Sequence, residues 1–135
     1  MPYISPNMRQ EMLRLARVLL EQTEQDKIKW SITDKDNEFL FSSAKSSMLI
    51  QGKFGNYEEE DEGDFSLVLL NRGGSVASDL DVGFEDAEYE AQNYQVLKHL
   101  YLTVQNKALE IDTTLEDMHR ALGIEAGSES TSSDA

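Results

Sequence analysis

The chain contains no cysteine. Disulfides, thiolate nucleophiles and sulfur-ligated zinc are therefore excluded. The absence fits a reducing compartment. Proline occurs only twice and tryptophan once. No apolar run approaches the ~20 residues that span a bilayer, and Met1-Pro-Tyr-Ile-Ser-Pro6 lacks the basic start and apolar stretch of a signal peptide. A cytoplasmic, membrane-free protein is expected. Basic residues are also scarce, at 12 Lys and Arg against 26 Asp and Glu, for a net charge of −14.

That charge is concentrated. Residues 1–57 hold eight basic and seven acidic side chains, residues 58–90 hold twelve acids and only Arg72, and residues 91–135 hold three basic and seven acidic ones. The middle of the chain would repel nucleic acid and anionic membrane and attract basic proteins or cations. A length of 135 residues suits one domain and can bury a core without covalent staples.

Hydrophobic periodicity supplies the architecture. Met8, Met12, Leu15, Ala16, Leu19 and Leu20 recur at helical spacing after Ser5-Pro6, a cap and first-turn pair, and predict a helix over 6–25. The period then drops to two. Ile28, Trp30 and Ile32 mark one strand, Phe39 and Phe41 a second, Met48 to Phe54 a third, and Phe65 to Leu70 a fourth. Val76 to Leu80 is a short edge strand after the turn Asn71-Arg-Gly-Gly-Ser75. Polar connections this short permit antiparallel pairing and forbid parallel crossovers. Helix resumes near residue 86, with Tyr94, Leu97, Leu100, Tyr101, Val104 and Ala108 on one face. A second helix carries Leu115, Met118, His119 and Leu122, starts at the capping box Thr113-x-x-Glu116 and ends at Gly123. The Gly- and Ser-rich stretch 125–135 reads as a disordered tail.

The expectation is an α+β domain over 1–124: an N-terminal helix, an antiparallel four- to five-stranded meander, and a C-terminal long helix plus short helix, with helices covering one sheet face in a two-layer sandwich. Lys27-Ile-Lys-Trp30, the strand Phe65–Leu70 followed by Arg72-Gly-Gly74, and Leu100-Tyr101 with Ala108-Leu109-Glu-Ile111-Asp112 resemble a broad group of small, functionally uncharacterised bacterial α+β proteins. Val104 departs from the small residue usual there. The resemblance implies this fold and a setting in bacteria or their mobile elements, and it brings no activity with it.

Catalytic and metal patterns fail at named positions. Glu116 and His119 have the Glu-x-x-His spacing of di-iron bundles, which need it twice plus two further helices. Asp79, Asp81, Glu85 and Glu90 mimic parts of a calcium loop, but Gly83 stands where a ligand belongs and Phe84 where glycine belongs. Asp34-x-Asp36-x-Glu38 places Phe39 and Lys45 at key positions. No Gly-x-Ser-x-Gly elbow exists, and Gly73-Gly74 has no following Lys-Ser/Thr to make a phosphate loop. No catalytic residue, metal or cofactor is expected, and the chain is read as a non-enzyme.

What remains is an interaction module. The expected contact surface for a basic protein partner comprises Tyr57, Glu58, Glu59, Glu60, Asp61, Glu62, Asp64, Asp79, Asp81, Phe84, Glu85 and Tyr89. Acids supply the field, and aromatics at loop or junction positions supply contact area. Alternatives are an acidic inhibitor that mimics nucleic acid or binds a toxin, a small-ligand binder with a pocket between sheet and helices, and a homo-oligomer. Direct nucleic-acid binding is not expected.

Overall fold

The computed structural model describes residues 6–55 and 63–123. Ser5, the segment Tyr57–Glu62 and the tail 125–135 lie outside the described residues. The order is α1 (Pro6–Glu24), β1 (Ser31–Ile32), β2 (Glu38–Ser42), β3 (Ser47–Lys53), β4 (Asp64–Leu70), β5 (Val76–Val82), a 3-10 turn (Phe84–Asp86), α2 (Ala91–Ala108) and α3 (Ile111–Ala121). The five strands pair consecutively and antiparallel, giving the sheet order β1-β2-β3-β4-β5. This is the expected α+β meander.

Alternation along each strand selects the face that meets the helices. Phe39, Met48, Ile50, Phe65, Leu67, Leu80 and Val82 point to one side and are buried there against Met12, Ala16 and Leu19 of α1 and Tyr94, Leu97, Leu100, Tyr101 and Val104 of α2. The two helices run in the same direction. Arg9 near the start of α1 pairs with Glu90 just before α2, and Glu24 at the end of α1 lies 3.3 Å from His99.

An aromatic group sits at the centre of this layer. Phe65 packs at a tilt against Tyr101, with ring centroids 5.4 Å apart, and against Tyr94 at 5.7 Å, while Phe54 leans on Tyr101 at 5.7 Å. Gly52 makes room for it: a Cβ there would stand 3.0 Å from both the Phe54 and Tyr101 rings. The buried polar ends are satisfied. The Tyr94 hydroxyl donates to the Gly63 carbonyl at 3.1 Å. At the other end of the core the Trp30 indole N–H donates to Thr23 Oγ1 (2.9 Å), whose hydroxyl donates to the Leu19 carbonyl (2.6 Å). A buried indole N–H without an acceptor would cost about 1–3 kcal/mol, so Thr23 is the polar residue that a tryptophan at this place requires.

Several boundaries differ from the sequence-based expectation. β1 shrinks to the two residues after the buried Trp30, and Ile32, paired with Phe39 at the edge of the sheet, is exposed. β5 reaches Val82, since Leu80 and Val82 alternate with Asp79 and Asp81 and continue the inward row. α2 begins at Ala91, later than expected. Glu85 and Asp86 therefore belong to the preceding 3-10 turn, where Asp86 Oδ2 accepts the Gly83 N–H at 3.0 Å, and the first turn of α2 holds no acid. α3 starts at Ile111 from a left-handed Glu110, which places Thr113–Glu116 inside the helix and not at its cap. Gly123 ends the helix with φ of +80°, as a glycine after a helix should.

Candidate functional site

Four of the described carboxylates, Glu38, Asp64, Asp79 and Asp81, share the second face of the sheet. Because strands alternate with period two, the residues between the core positions all point away from α1 and α2. Their register forms a lattice. One row across the strands reads Glu38, Gln51, Ser66, Asp81, and the next reads Leu40, Leu49, Val68, Asp79. Leu70 follows Val68 on β4, and Asp64 precedes Ser66 with Lys53 opposite it. The result is a short apolar strip, Leu40, Leu49, Val68 and Leu70, separate from the main core. Asp79 and Asp81 bound it on the β5 side, Glu38 lies beside it on β2, and Asp64 lies at one end.

The four carboxylates differ in how they are held. Glu38 is buried, yet both oxygens are occupied: Thr33 Oγ1 donates at 2.7 Å and Gln51 Nε2 at 2.6 Å. Asp64 Oδ1 accepts the Phe84 backbone N–H at 2.8 Å and ties β4 to the 3-10 turn. Asp81 is exposed. Asp79 is only 6 % exposed and makes no salt bridge with a described side chain. Burial pushes its carboxyl above the ordinary aspartate value, and the Asp81 charge adds to the effect, with the amino-terminal charge opposing it in smaller part. An acid whose charge costs free energy stands at the margin of an apolar strip.

The expected surface is thus assembled in part. Asp64, Asp79 and Asp81 share one face, and Asp64 carries that group to Phe84 and the exposed Glu85. Phe84 itself is half-buried against Tyr94, with ring centroids 6.0 Å apart, so its ring packs on the core side and is no free contact surface. Tyr89 is 84 % exposed on the turn before α2. Tyr57 and Glu58, Glu59, Glu60, Asp61 and Glu62 lie outside the described residues. Glu38, which the sequence suggests only as a failed calcium-loop position, is absent from the expected surface because Asp34-Lys-Asp-Asn37 before it reads as a turn. The signal was its even spacing with Leu40 and Ser42 on the face opposite Phe39 and Phe41.

Two clefts open elsewhere. One of about 440 Å³ lies at the junction of α2 and α3 beside Asp26, Trp30 and Lys107, and one of about 590 Å³ lies between α1 and the start of α2 beside Arg9, Arg14 and Arg17. Neither lies between sheet and helices, and neither contains Asp79. Among the described residues no three His, Asp or Glu side chains converge as metal ligands, and no described helix is long and apolar enough to cross a membrane. The chain matches no family model, no curated protein and no solved structure.

Proposed function

We propose that this protein is a cytoplasmic interaction module, and that the second sheet face receives a basic, partly apolar segment of a protein partner. The supporting observation is Asp79: buried, unpaired by any described side chain, and set beside the like-charged Asp81 at the edge of an apolar strip. A cationic side chain arriving there would relieve the repulsion, while apolar neighbours in the same segment would cover Leu40, Leu49 and Leu70, which are half-buried. Charge complementarity of this kind sets orientation and encounter rate, and the apolar centre supplies affinity. Leucine and valine interrupt the carboxylates, which favours a protein segment over mimicry of a phosphate track.

A second reading comes from the same residues. β5 is an edge strand, and charge on such a strand hinders edge-to-edge aggregation. The two readings separate in one experiment. Fluorescence anisotropy of labelled Lys/Leu amphipathic, all-Lys and Ser/Leu peptides is measured against wild type, Asp79→Asn and Asp81→Asn. The docking reading expects the Lys/Leu peptide to bind best, to weaken with salt, and to lose roughly tenfold with Asp79→Asn. Unchanged binding together with new self-association of the variants would leave edge protection as the role.

A further inference from the structure

Arginine is scarce in this chain, with five in 135 residues, and three of the five line one groove. The cleft of about 590 Å³ between α1 and the start of α2 is bordered by Arg9, Arg14 and Arg17. Gln10, Gln92 and Asn93 stand beside them, and Leu13 supplies an apolar wall. At 3.6 residues per turn the three arginines fall within about 140° of the circumference of α1, so one flank of the helix carries them all. Among the described residues no carboxylate lines the groove. Arg9 is held from outside it by Glu90, whose Oε1 also accepts from Asn93 Nδ2 at 3.1 Å. Arg14 and Arg17 are exposed and pair with no described carboxylate.

On its own this placement costs stability. Arg14 and Arg17 are like charges one helical turn apart and repel. Cationic side chains toward the start of a helix also meet the positive end of its dipole, and α1 has no acid in its first turn to offset them. Residues 1–20 contain only Glu11 against the three arginines, in a chain that holds 26 acids. We propose that the groove binds a polyphosphate group, free or carried on a small organic body such as a nucleoside. Guanidinium forks match phosphoryl oxygens two at a time, and every charged group on the described lining is such a donor. The volume lies within the ~300–1,000 Å³ of small-ligand sites, which leaves room for more than one phosphoryl group. Leu13 and the three amides are placed to meet an organic body. The groove belongs to the helical layer, on the other side of the sheet from Asp79 and Asp81, so it is independent of the docking face. The net charge of −14 opposes the approach of any anion, and the affinity therefore comes from short-range contacts within the groove.

Backbone-amide NMR titration of the full, isotope-labelled chain reads both affinity and place. The probes are ATP, pyrophosphate, citrate and adenosine, in buffer without divalent metal, so that no cation bridges a ligand to the protein's acids. ATP and pyrophosphate are expected to bind saturably and more weakly as salt rises, with shifts concentrated at residues 9–17 and 91–93. Tighter binding of ATP than of pyrophosphate assigns the site to an organic polyphosphate, and equal binding assigns it to the phosphoryl groups alone. Citrate, an anion of different oxygen geometry, should bind at least roughly fivefold more weakly than pyrophosphate, and adenosine should not bind. Arg14→Gln combined with Arg17→Gln should weaken ATP roughly ten- to thirtyfold, whereas Lys29→Gln, beside the other cleft, should leave it unchanged. All three positions are exposed, and circular dichroism of each variant verifies an intact fold. Absence of shifts with ATP and pyrophosphate up to about 10 mM overturns the proposal. So do shifts centred elsewhere, citrate binding as tight as pyrophosphate, or unchanged affinity in the double arginine variant.

Discussion

Replacing Asp79 by asparagine should make the protein more stable at neutral pH. The side chain is 6 % exposed, carries no salt bridge to a described residue and has Asp81 two positions away on the same sheet face. Its folded-state pKa is raised above the ordinary 3.8, chiefly by burial and then by Asp81. A raised carboxyl pKa means that the folded state holds the proton more firmly than the unfolded chain. The contribution of this group is thus most favourable below pH 3.8. It declines as the pH rises through the window just above that value, and it reaches its full penalty once Asp79 is ionised in both states. Asparagine keeps the shape and removes the charge, so it should recover on the order of 1 kcal/mol at pH 7, or about 4 °C in Tm for a domain of this size. The gain should vanish near pH 3.5, where the aspartate is protonated as well. Urea denaturation of both proteins at pH 7 and pH 3.5, followed through Trp30, measures the two differences. An Asn variant equal to or weaker than wild type at pH 7, or a gain of the same size at both pH values, would refute the reasoning.

Other substitutions examine the frame that presents this face. Thr23→Val preserves volume but strands the Trp30 indole N–H, and should cost about 1–3 kcal/mol in urea denaturation. Gly52→Ala pushes a methyl to 3.0 Å from the Phe54 and Tyr101 rings; a loss of about 1 kcal/mol is expected, with altered near-ultraviolet dichroism from the displaced aromatics. Ser78 Oγ is buried beneath the helices with no hydrogen-bond partner, so Ser78→Ala should be neutral or stabilising by up to about 1 kcal/mol in thermal melts.

Much of this fold can be read from periodicity alone, and the places where reading failed have physical causes. The 3.6-residue spacing of Met12, Ala16 and Leu19 specifies α1 because only a helix can place all three on one side. The switch to alternation at Trp30 and Phe39 announces the sheet just as directly. β5 runs two residues beyond the expected Leu80, because Val82 continues the inward row past Asp81, whose charge alone suggests a loop. Acids such as Glu85 and Asp86 suit a helix N-terminus and so predict too early a start for α2; here the Gly83 N–H claims Asp86. For α3 the pattern gave the helix but not its neighbour. Amphipathicity states that a face needs covering, and only the three-dimensional arrangement reveals that α1 and α2 have already taken the sheet. The site was legible to the extent that its acids share a strand: Asp79 and Asp81 follow from period two, whereas Glu38 and Asp64 join them only through strand register.

The most direct test of the docking face uses its methyl groups, because the two sides of the sheet carry different ones. Leu40, Leu49, Val68 and Leu70 lie on the second face, and Ile50, Leu67 and Leu80 lie beneath the helices. Titration of methyl-labelled protein with the Lys/Leu peptide should shift the first group in a saturable, salt-sensitive manner, leave the second group in place, and lose its effect with Asp79→Asn. Shifts confined to the methyls of α1, α2 or α3, or identical titrations of wild type and Asp79→Asn, would contradict the account.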